Sequence, residues 1–524
     1  MKLIATSLFI AGFICNNAAY SQCDTTVVNG DMIINSSTFL SGVYQVSGTF
    51  EIESGVTVFV EKYELGGCGK LEVQAQNIIV SGIINGDFSG YTGGIGGAPG
   101  STVTSLTGDQ IAINDCSNKD NTGQVTLEGG QAGNNGTGPG AGASGADGQN
   151  GSGPKQQCLN SDDEAGMIGG SGGAGGGAGG SYGGTGSTGA QGGAGTGNYQ
   201  TNGLNVSTGF PVVGGNGGTG GNSGVAYGSL TGEDIDLGSG GAGAGGGGRS
   251  YDVGLGGSDG GNGGGAIILV AQDSLAVTGA ISANGENGIS GGNAGNGGTS
   301  PKCCSDGCDD CGEATLSTGA GGGSGSGGGS GGGILLKAEN VAEITGNLSV
   351  SGGNGGNGGL RGNGVSCEYS NFICGDQTLT SGNGNPGGAG GAGGGGRIKI
   401  FVPICSMSTV QPTNNIAGGT GNAAGNQGTY FLGCSELSLS EQETELSVMV
   451  FPNPAKDVLH ITSPSNVAVN VSITDVSGRE MYRASTELSA TPFSLEIADF
   501  QQGTYYVIIE RNGSLITKKF IKLL

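Results

Sequence analysis

The sequence predicts an all-β chain: a glycine-rich, β-solenoid-like passenger whose glycine runs bundle as polyglycine II helices or loop out, followed by a small C-terminal β-sandwich. Three observations carry this reading. Apolar and polar residues alternate in short runs such as Gly42 to Val60 (GVYQVSGTFEIESGVTVFV), the period-two pattern of strands with one buried face. Glycine supplies 124 of 524 residues and recurs every third position in several runs. The glycine excess stops abruptly at a polar, acidic stretch, Leu437 to Ser447, beyond which the composition is that of an ordinary domain. The boundaries that follow are 1–21, 22–90, 91–437, 438–447 and 448–524.

The chain opens with Lys2, a mostly apolar run from Leu3 to Ile14 and the small-x-small triplet Ala19-Tyr20-Ser21. This is the layout of a secretory signal peptide cut between Ser21 and Gln22, and the run is short for a membrane anchor. Neither Cys15 nor Cys23 has the small-residue context of a lipoprotein cysteine. Of 13 cysteines Cys15 leaves with the leader, and the even number that remains in an exported chain reads first as disulfides.

Residues 22–90 read as an N-terminal β region and 91–437 as a glycine-rich repeat region. Three passages share a template: KLEVQAQNIIVSGIINGDFSG from Lys70, AIILVAQDSLAVTGAISANGENG from Ala266 and ILLKAENVAEITGNLSVSGGNGG from Ile334. Each has an apolar strand, an Ala-(Gln/Glu)-(Asn/Asp) step, a second strand reaching Gly82, Gly279 or Gly346, and a third short apolar stretch. A partial copy begins at Gly394, and Ala271 and Ala338 place the last two full copies 67 residues apart. Such repeats bury a face only by stacking. Glycines at 94, 97 and 100, and at 353, 356, 359 and 362, form the column that a left-handed extended helix of three residues per turn presents on one side. A structureless glycine linker is the alternative.

The net charge of −24 sits in the passenger: Gln22 to Ser447 holds ten basic against 35 acidic residues, whereas Val448 to Leu524 balances seven against seven. That field repels nucleic acid and anionic lipid, so no nucleic-acid partner is expected.

The last segment runs Phe451-Pro452-Asn453-Pro454, a strand to Ile461, Asp475-Val476-Ser477-Gly478-Arg479, Gly503-Thr504-Tyr505-Tyr506, then a basic terminal strand with Lys518 and Lys519. Val467, Val469, Val471 and Ile473 alternate as on a strand with one buried face, and Ser477-Gly478 and Asn512-Gly513 are tight-turn dipeptides. Pro452 and Pro454 suit a sheet edge, and roughly six or seven short strands imply a small sandwich. The order and spacing of Pro452, Asn453, Pro454, Asp475, Gly478, Arg479, Gly503, Tyr505, Lys518 and Lys519 resemble the type A sorting domain of the type IX secretion system of Bacteroidetes. The resemblance implies recognition by the outer-membrane translocon and its sorting protease, removal of the module, and often attachment to a surface lipopolysaccharide. It places the product at the outer cell surface or in the medium, reached through the periplasm. A C-terminal adhesive sandwich without a sorting role is the alternative.

The single histidine, His460, lies in this last segment, so the passenger has no Ser-His-Asp or Cys-His pair and no histidine-ligated metal. No catalytic residue is singled out. Cys303, Cys304, Cys308 and Cys311 can hold zinc or, in an exported chain, form disulfides that staple a loop. Cys367 with Cys374 and Cys405 with Cys434 are further candidate pairs. Asp306, Asp309 and Asp310, like Asp162-Asp163-Glu164, offer oxygen ligands for calcium without the spacing of an EF-hand, and no other cofactor is expected. These features point to a non-enzymatic, adhesin-like or matrix-like surface protein with a polysaccharide or other surface ligand. Two alternatives stay open: a lyase or glycosidase on a β-helix using carboxylates alone, and an ice- or mineral-binding face.

Overall fold

The computed structural model describes residues 23–523 except 64–66, 102–123, 155–165, 203–205, 207–209, 299–314, 372–374, 405–407, 436–447 and 512–513. Among the described residues every regular element is a strand. The chain divides into two compact units, Met1–Glu436 and Leu437–Leu524.

In the first unit two parallel sheets enclose one aliphatic core. The first sheet takes Thr25–Val28, Gly42–Ile52, Lys70–Val80, Ala266–Val277, Gly333–Ala338, Arg397–Ile404 and Thr429–Ser435 in chain order. The second takes Thr38–Leu40, Thr57–Val60, Ile83–Asn85, Ala280–Ser282, Asn347–Ser349 and Thr413–Asn415. The repeated template sets the register. Leu71, Ile267, Ile334 and Ile398 stand in one column, and Val73, Leu269, Leu336 and Ile400 in the next. Val58, Ile84, Ile281 and Leu348 form a column on the second sheet. All of these are buried in one cluster. Alternation sends every second side chain inward, and stacking like on like turns each column into a ladder of branched aliphatics. Gly82, Gly279 and Gly346 make the corner between the sheets. A Cβ on Gly279 would fall on the Gly82 carbonyl oxygen, and one on Gly346 on that of Gly279.

The glycine runs bundle. Residues 318–332 lie at their centre, and their N–H groups divide into three sets by position. Gly319, Gly322, Gly325, Gly328 and Gly331 donate to Gly382, Asn385, Gly388, Gly391 and Gly394. Ala320, Gly323, Ser326, Gly329 and Gly332 donate, in the opposite chain direction, to Gly295, Gly292, Ile289, Glu286 and Ala283. Gly321, Ser324, Gly327 and Ser330 donate to Ser171, Ala174, Ala242 and Ser239. An extended helix makes no internal hydrogen bonds, so every N–H must leave the run, and three residues per turn aim them in three directions. The backbones approach so closely that a Cβ on Gly325 would overlap the Gly356 carbonyl oxygen.

A strap spanning residues 225–237 crosses the outer face of the first sheet. Lys399, 1% exposed, donates to the carbonyl oxygens of Gly232 (2.8 Å) and Asp234 (2.6 Å) and to Asp234 Oδ1 (3.0 Å). Arg397 donates to the Tyr227 carbonyl (2.7 Å) and lies 5.5 Å over the Tyr182 ring. Lys337 pairs with Glu233 at 2.9 Å. Burial pushes the phenols of Tyr182 and Tyr227 well above their usual range. The Ser229 hydroxyl and N–H, then Lys399, hold the Asp234 carboxyl well below the usual aspartate range.

The second unit has a three-stranded sheet (Met449–Phe451, Val458–Thr462, Phe493–Glu496) and a four-stranded one (Val467–Asp475, Glu480–Leu488, Gly503–Arg511, Ser514–Lys522), both antiparallel. Leu459, Ile461 and Leu495 of the first share a core with Val469, Val471, Ile473, Val507 and Phe520 of the second.

Two expectations follow. Gly325→Ala should destabilise the protein by about 3 kcal/mol through overpacking. Gly256→Ala, where the nearest atom to an added Cβ is 3.3 Å away, should change stability by about 0.5 kcal/mol or less. Thermal unfolding followed by circular dichroism compares them, and equal effects would contradict the close packing. Asp234→Ala strands the buried Lys399 ammonium with the Gly232 and residue-234 carbonyls and the Ser229 hydroxyl as its partners, and no counter-charge. It should cost about 2 kcal/mol, short of the ~3–5 of a fully buried pair because the carboxylate is half exposed. The depressed folded pKa of Asp234 gives stability that is present above the unfolded value near ~3.9 and lost as pH falls below it. Hydrogen-exchange protection in 227–237, taken relative to the intrinsic rate at each pH, should therefore fall in acid, and less so in the Asp234→Ala variant.

Candidate functional surfaces

The signature residues of the last 75 or so positions hold two turns and the terminal strand in place. Met449–Phe451 leads into Pro452 and Pro454, each preceded by a cis peptide bond. Asn453 between them clamps the terminal strand: its Nδ2 donates to the Lys519 carbonyl and its Oδ1 accepts from Ile521 N–H, both at 3.0 Å. Ala455 continues the clamp by exchanging backbone bonds with Ile521 and Leu523. At the second turn Asp475 Oδ1 accepts from the Ser477 hydroxyl (2.6 Å), Ser477 N–H (2.9 Å) and Arg479 N–H (3.1 Å), while Oδ2 accepts from Arg479 Nε (3.1 Å). The Ser477 hydroxyl, then the two N–H groups, hold this carboxyl below the usual range. Gly478 turns the chain at φ +82°, a left-handed conformation that glycine adopts without strain. Tyr505 is buried between Phe500 and Phe520 and donates to the Gln501 carbonyl at 2.9 Å. Gly503 opens that strand, and Lys518 and Lys519 stand exposed on the last one.

In the first unit, three neighbouring glycine runs, 283–298, 350–364 and 416–428, share an exposed edge. Along that edge some N–H groups meet side chains in place of carbonyls. Asn354 N–H donates to Asn287 Oδ1 (2.7 Å), Leu360 N–H to Asn293 Oδ1 (2.8 Å) and Asn363 N–H to Asn296 Oδ1 (3.0 Å), each across 67 residues. Thr420 N–H and Oγ1 donate to Asn354 Oδ1, and Ser351 N–H and Oγ to Asn284 Oδ1. A backbone amide can only donate, so the atom facing it must be the oxygen. The side-chain NH2 groups of Asn287, Asn293 and Asn354 therefore point away from the bundle, with no partner among the described residues. Successive positions in a row lie roughly 9 Å apart along a run, and adjacent runs about 5 Å apart. The rows continue onto the second sheet, where Asn85, Ser282, Ser349 and Asn415 stand in register and Ser349 Oγ donates to Asn284 Oδ1 at 2.7 Å.

Several expected residues fall outside the described ones: Ser21 and Gln22, Cys303, Cys304, Cys308 and Cys311, Asp306, Asp309 and Asp310, Asp162-Asp163-Glu164, and the Asn512-Gly513 turn. Cys367 and Cys434 are each disulfide-bonded, while their expected partners Cys374 and Cys405 also lie outside the described residues. The structure adds a disulfide not foreseen in the sequence, Cys23–Cys68, which ties the first strand region to the start of Lys70–Val80. The asparagine rows were also missed. Their signal was present as asparagine at every third position, in Asn284, Asn287, Asn293 and Asn296 and in Asn354, Asn357 and Asn363.

Residues 449–523 match the family described as a secretion system C-terminal sorting domain. The tail is a type IX sorting domain, which addresses the chain to the type IX machinery and to the outer cell surface or the medium. No curated protein matches the chain. Solved structures similar to part of it include a DUF3244-family protein with an immunoglobulin-like β-sandwich fold from Bacteroides vulgatus, 20% identical over 16% of this chain and 88% of that one, TM-score 0.14. Dimeric latent PorU from Porphyromonas gingivalis is 21% identical over 14% of this chain and 9% of that one, TM-score 0.12. Removal of residues 449–523 should leave the passenger in the periplasm. Cell fractionation checks this, and undiminished surface display of the truncated chain would contradict a sorting role.

Proposed function

We propose that the mature passenger is a non-enzymatic, adhesin-like surface protein: a β-solenoid carrying a polyglycine II bundle, displayed outside the cell to hold an acceptor-rich surface such as a polysaccharide. Attachment to a surface lipopolysaccharide after removal of the tail would keep it there. The observation that carries the reading is the asparagine edge. Each Oδ1 accepts a backbone N–H, which turns each NH2 outward as a donor, at regular spacing on a rigid support. Hydroxyl, carboxylate and sulfate oxygens of an extended glycan are the matching acceptors. The acidic remainder of the passenger keeps it soluble and limits unspecific binding to anions.

The combined Asn287→Asp, Asn293→Asp and Asn354→Asp variant tests the reading. Each substitution keeps an oxygen for the backbone N–H and deletes the outward NH2. The variant should be displayed at wild-type levels, yet cells carrying it should attach several-fold less. Attachment unchanged on deletion of the gene, or cleavage of a polysaccharide by the purified protein, would overturn the proposal.

A further inference from the structure

At the start of the second sheet an exposed aromatic pair borders a recess that neither the sorting tail nor the asparagine edge uses. Phe39 and Phe59 are register partners on adjacent strands, with ring centroids 5.2 Å apart and planes 29° from parallel. They are 64% and 36% exposed, although large apolar side chains on a sheet with this core have an interior to enter. Beside them lies a cavity of about 310 Å³ lined by Phe39, Phe59, Glu61, Lys62, Asn85 and Asp87. That volume is at the small end of ligand pockets, enough for one or two sugar rings.

Asp87, Asn85 and Glu61 in the lining are each held by a hydrogen bond, and each keeps valence to spare. Asp87 Oδ1 accepts from Asn284 N–H at 2.7 Å, which holds the carboxylate in place and leaves Oδ2 open. Asp87 N–H donates to Asn85 Oδ1 at 2.9 Å, so the Asn85 NH2 is turned outward as a donor. Glu61 Oε2 accepts from Ser41 Oγ at 2.9 Å, leaving its second oxygen. Lys62 adds an ammonium on the same rim. Acceptors, donors and an aromatic surface thus converge on one small volume.

We infer that this recess binds a neutral saccharide ring, with its C–H face on Phe39 and Phe59 and its vicinal hydroxyls shared between Asp87 or Glu61 as acceptors and Asn85 or Lys62 as donors. A hydroxyl both donates and accepts, so a polyol satisfies the mixed rim that a purely anionic or purely apolar ligand would leave unmatched. An aromatic surface supplies the apolar area that such a ligand's C–H face needs. An aromatic cap on the sheet edge explains Phe39 alone. It does not explain an amide and a carboxylate oriented toward the same space by backbone bonds. The inference rests on the adhesive reading for its biological meaning only, because the site is defined by its own geometry.

The test uses the full mature chain and a panel of methyl glycosides of neutral hexoses and N-acetylhexosamines, followed by saturation-transfer NMR and titration. At least one glycoside should bind, and Phe39→Ala and Lys62→Ala, both at exposed positions, should each weaken it by about tenfold or more with an unchanged melting temperature. Absence of binding by every glycoside at about 10 mM, or wild-type affinity in both variants, would overturn the inference. If no glycoside binds while the asparagine variant still loses attachment, this inference falls and the adhesive reading stands. If glycosides bind and loss of the gene leaves attachment unchanged, the recess stands and the adhesive reading falls.

Discussion

The structure of the passenger depends on one constraint: an extended glycine run cannot satisfy any of its own N–H groups. A helix closes its ladder internally and a strand needs neighbours on two sides, whereas a run of three residues per turn needs them on three. The central run 318–332 has them, one set each toward 382–394, 283–295 and the pair 171–174 and 239–242. Glycine is then a requirement of spacing, since the contacts are backbone to backbone and a Cβ on Gly328 would overlap the Gly353 carbonyl oxygen. A chain with 34% hydrophobic residues and no tryptophan can order so much sequence in this way because backbone groups supply most of the contacts.

The two sheets supply what the bundle lacks. Fixing glycine costs more backbone entropy than fixing any other residue, and hydrogen bonds exchanged with water return only about 0.5–1.5 kcal/mol each. The aliphatic columns through Leu71, Ile267 and Ile334 add the transfer of apolar surface out of water, and they impose the register that brings each glycine run to its neighbours. The sheets and the asparagine edge therefore carry the same 67-residue offset, seen in Ala271 against Ala338 and in Asn287 against Asn354. A slip of one strand would break the aliphatic columns and the glycine contacts together.

Much of this was legible in the sequence. The template from Lys70, Ala266 and Ile334 gave the strands and their corner glycines, because alternation and a stacked turn both leave marks at fixed positions. The sorting tail was legible because Asn453, Asp475, Gly478 and Tyr505 each serve a local turn or clamp whose geometry admits few residue types. The neighbours of each glycine run were not legible. Period three states that three partners exist and leaves open which ones, and residues 171–174 meet 321–324 only through the whole fold. The strap leaves no such mark: nothing in the sequence around Lys399 and Arg397 shows that 225–237 is laid over them.

The edge of the bundle also bears on the charge of the chain. A rim N–H without a carbonyl needs any side-chain oxygen, and asparagine and aspartate serve equally. Asp259 Oδ1 accepts from Gly96 N–H at 2.9 Å and Asp147 Oδ1 from Ala132 N–H at 2.6 Å, as Asn287 does from Asn354. The two residues differ in what they leave outside: aspartate presents a second, charged oxygen, asparagine an NH2. Folding is indifferent to that choice, so it is free to set the chemistry of each face. Rim positions filled by aspartate carry part of the net charge of −24, while Asn287, Asn293 and Asn354 are neutral and turn an NH2 outward. A single structural device thus lets each rim position present either a charged acceptor or a neutral donor without changing the packing beneath it.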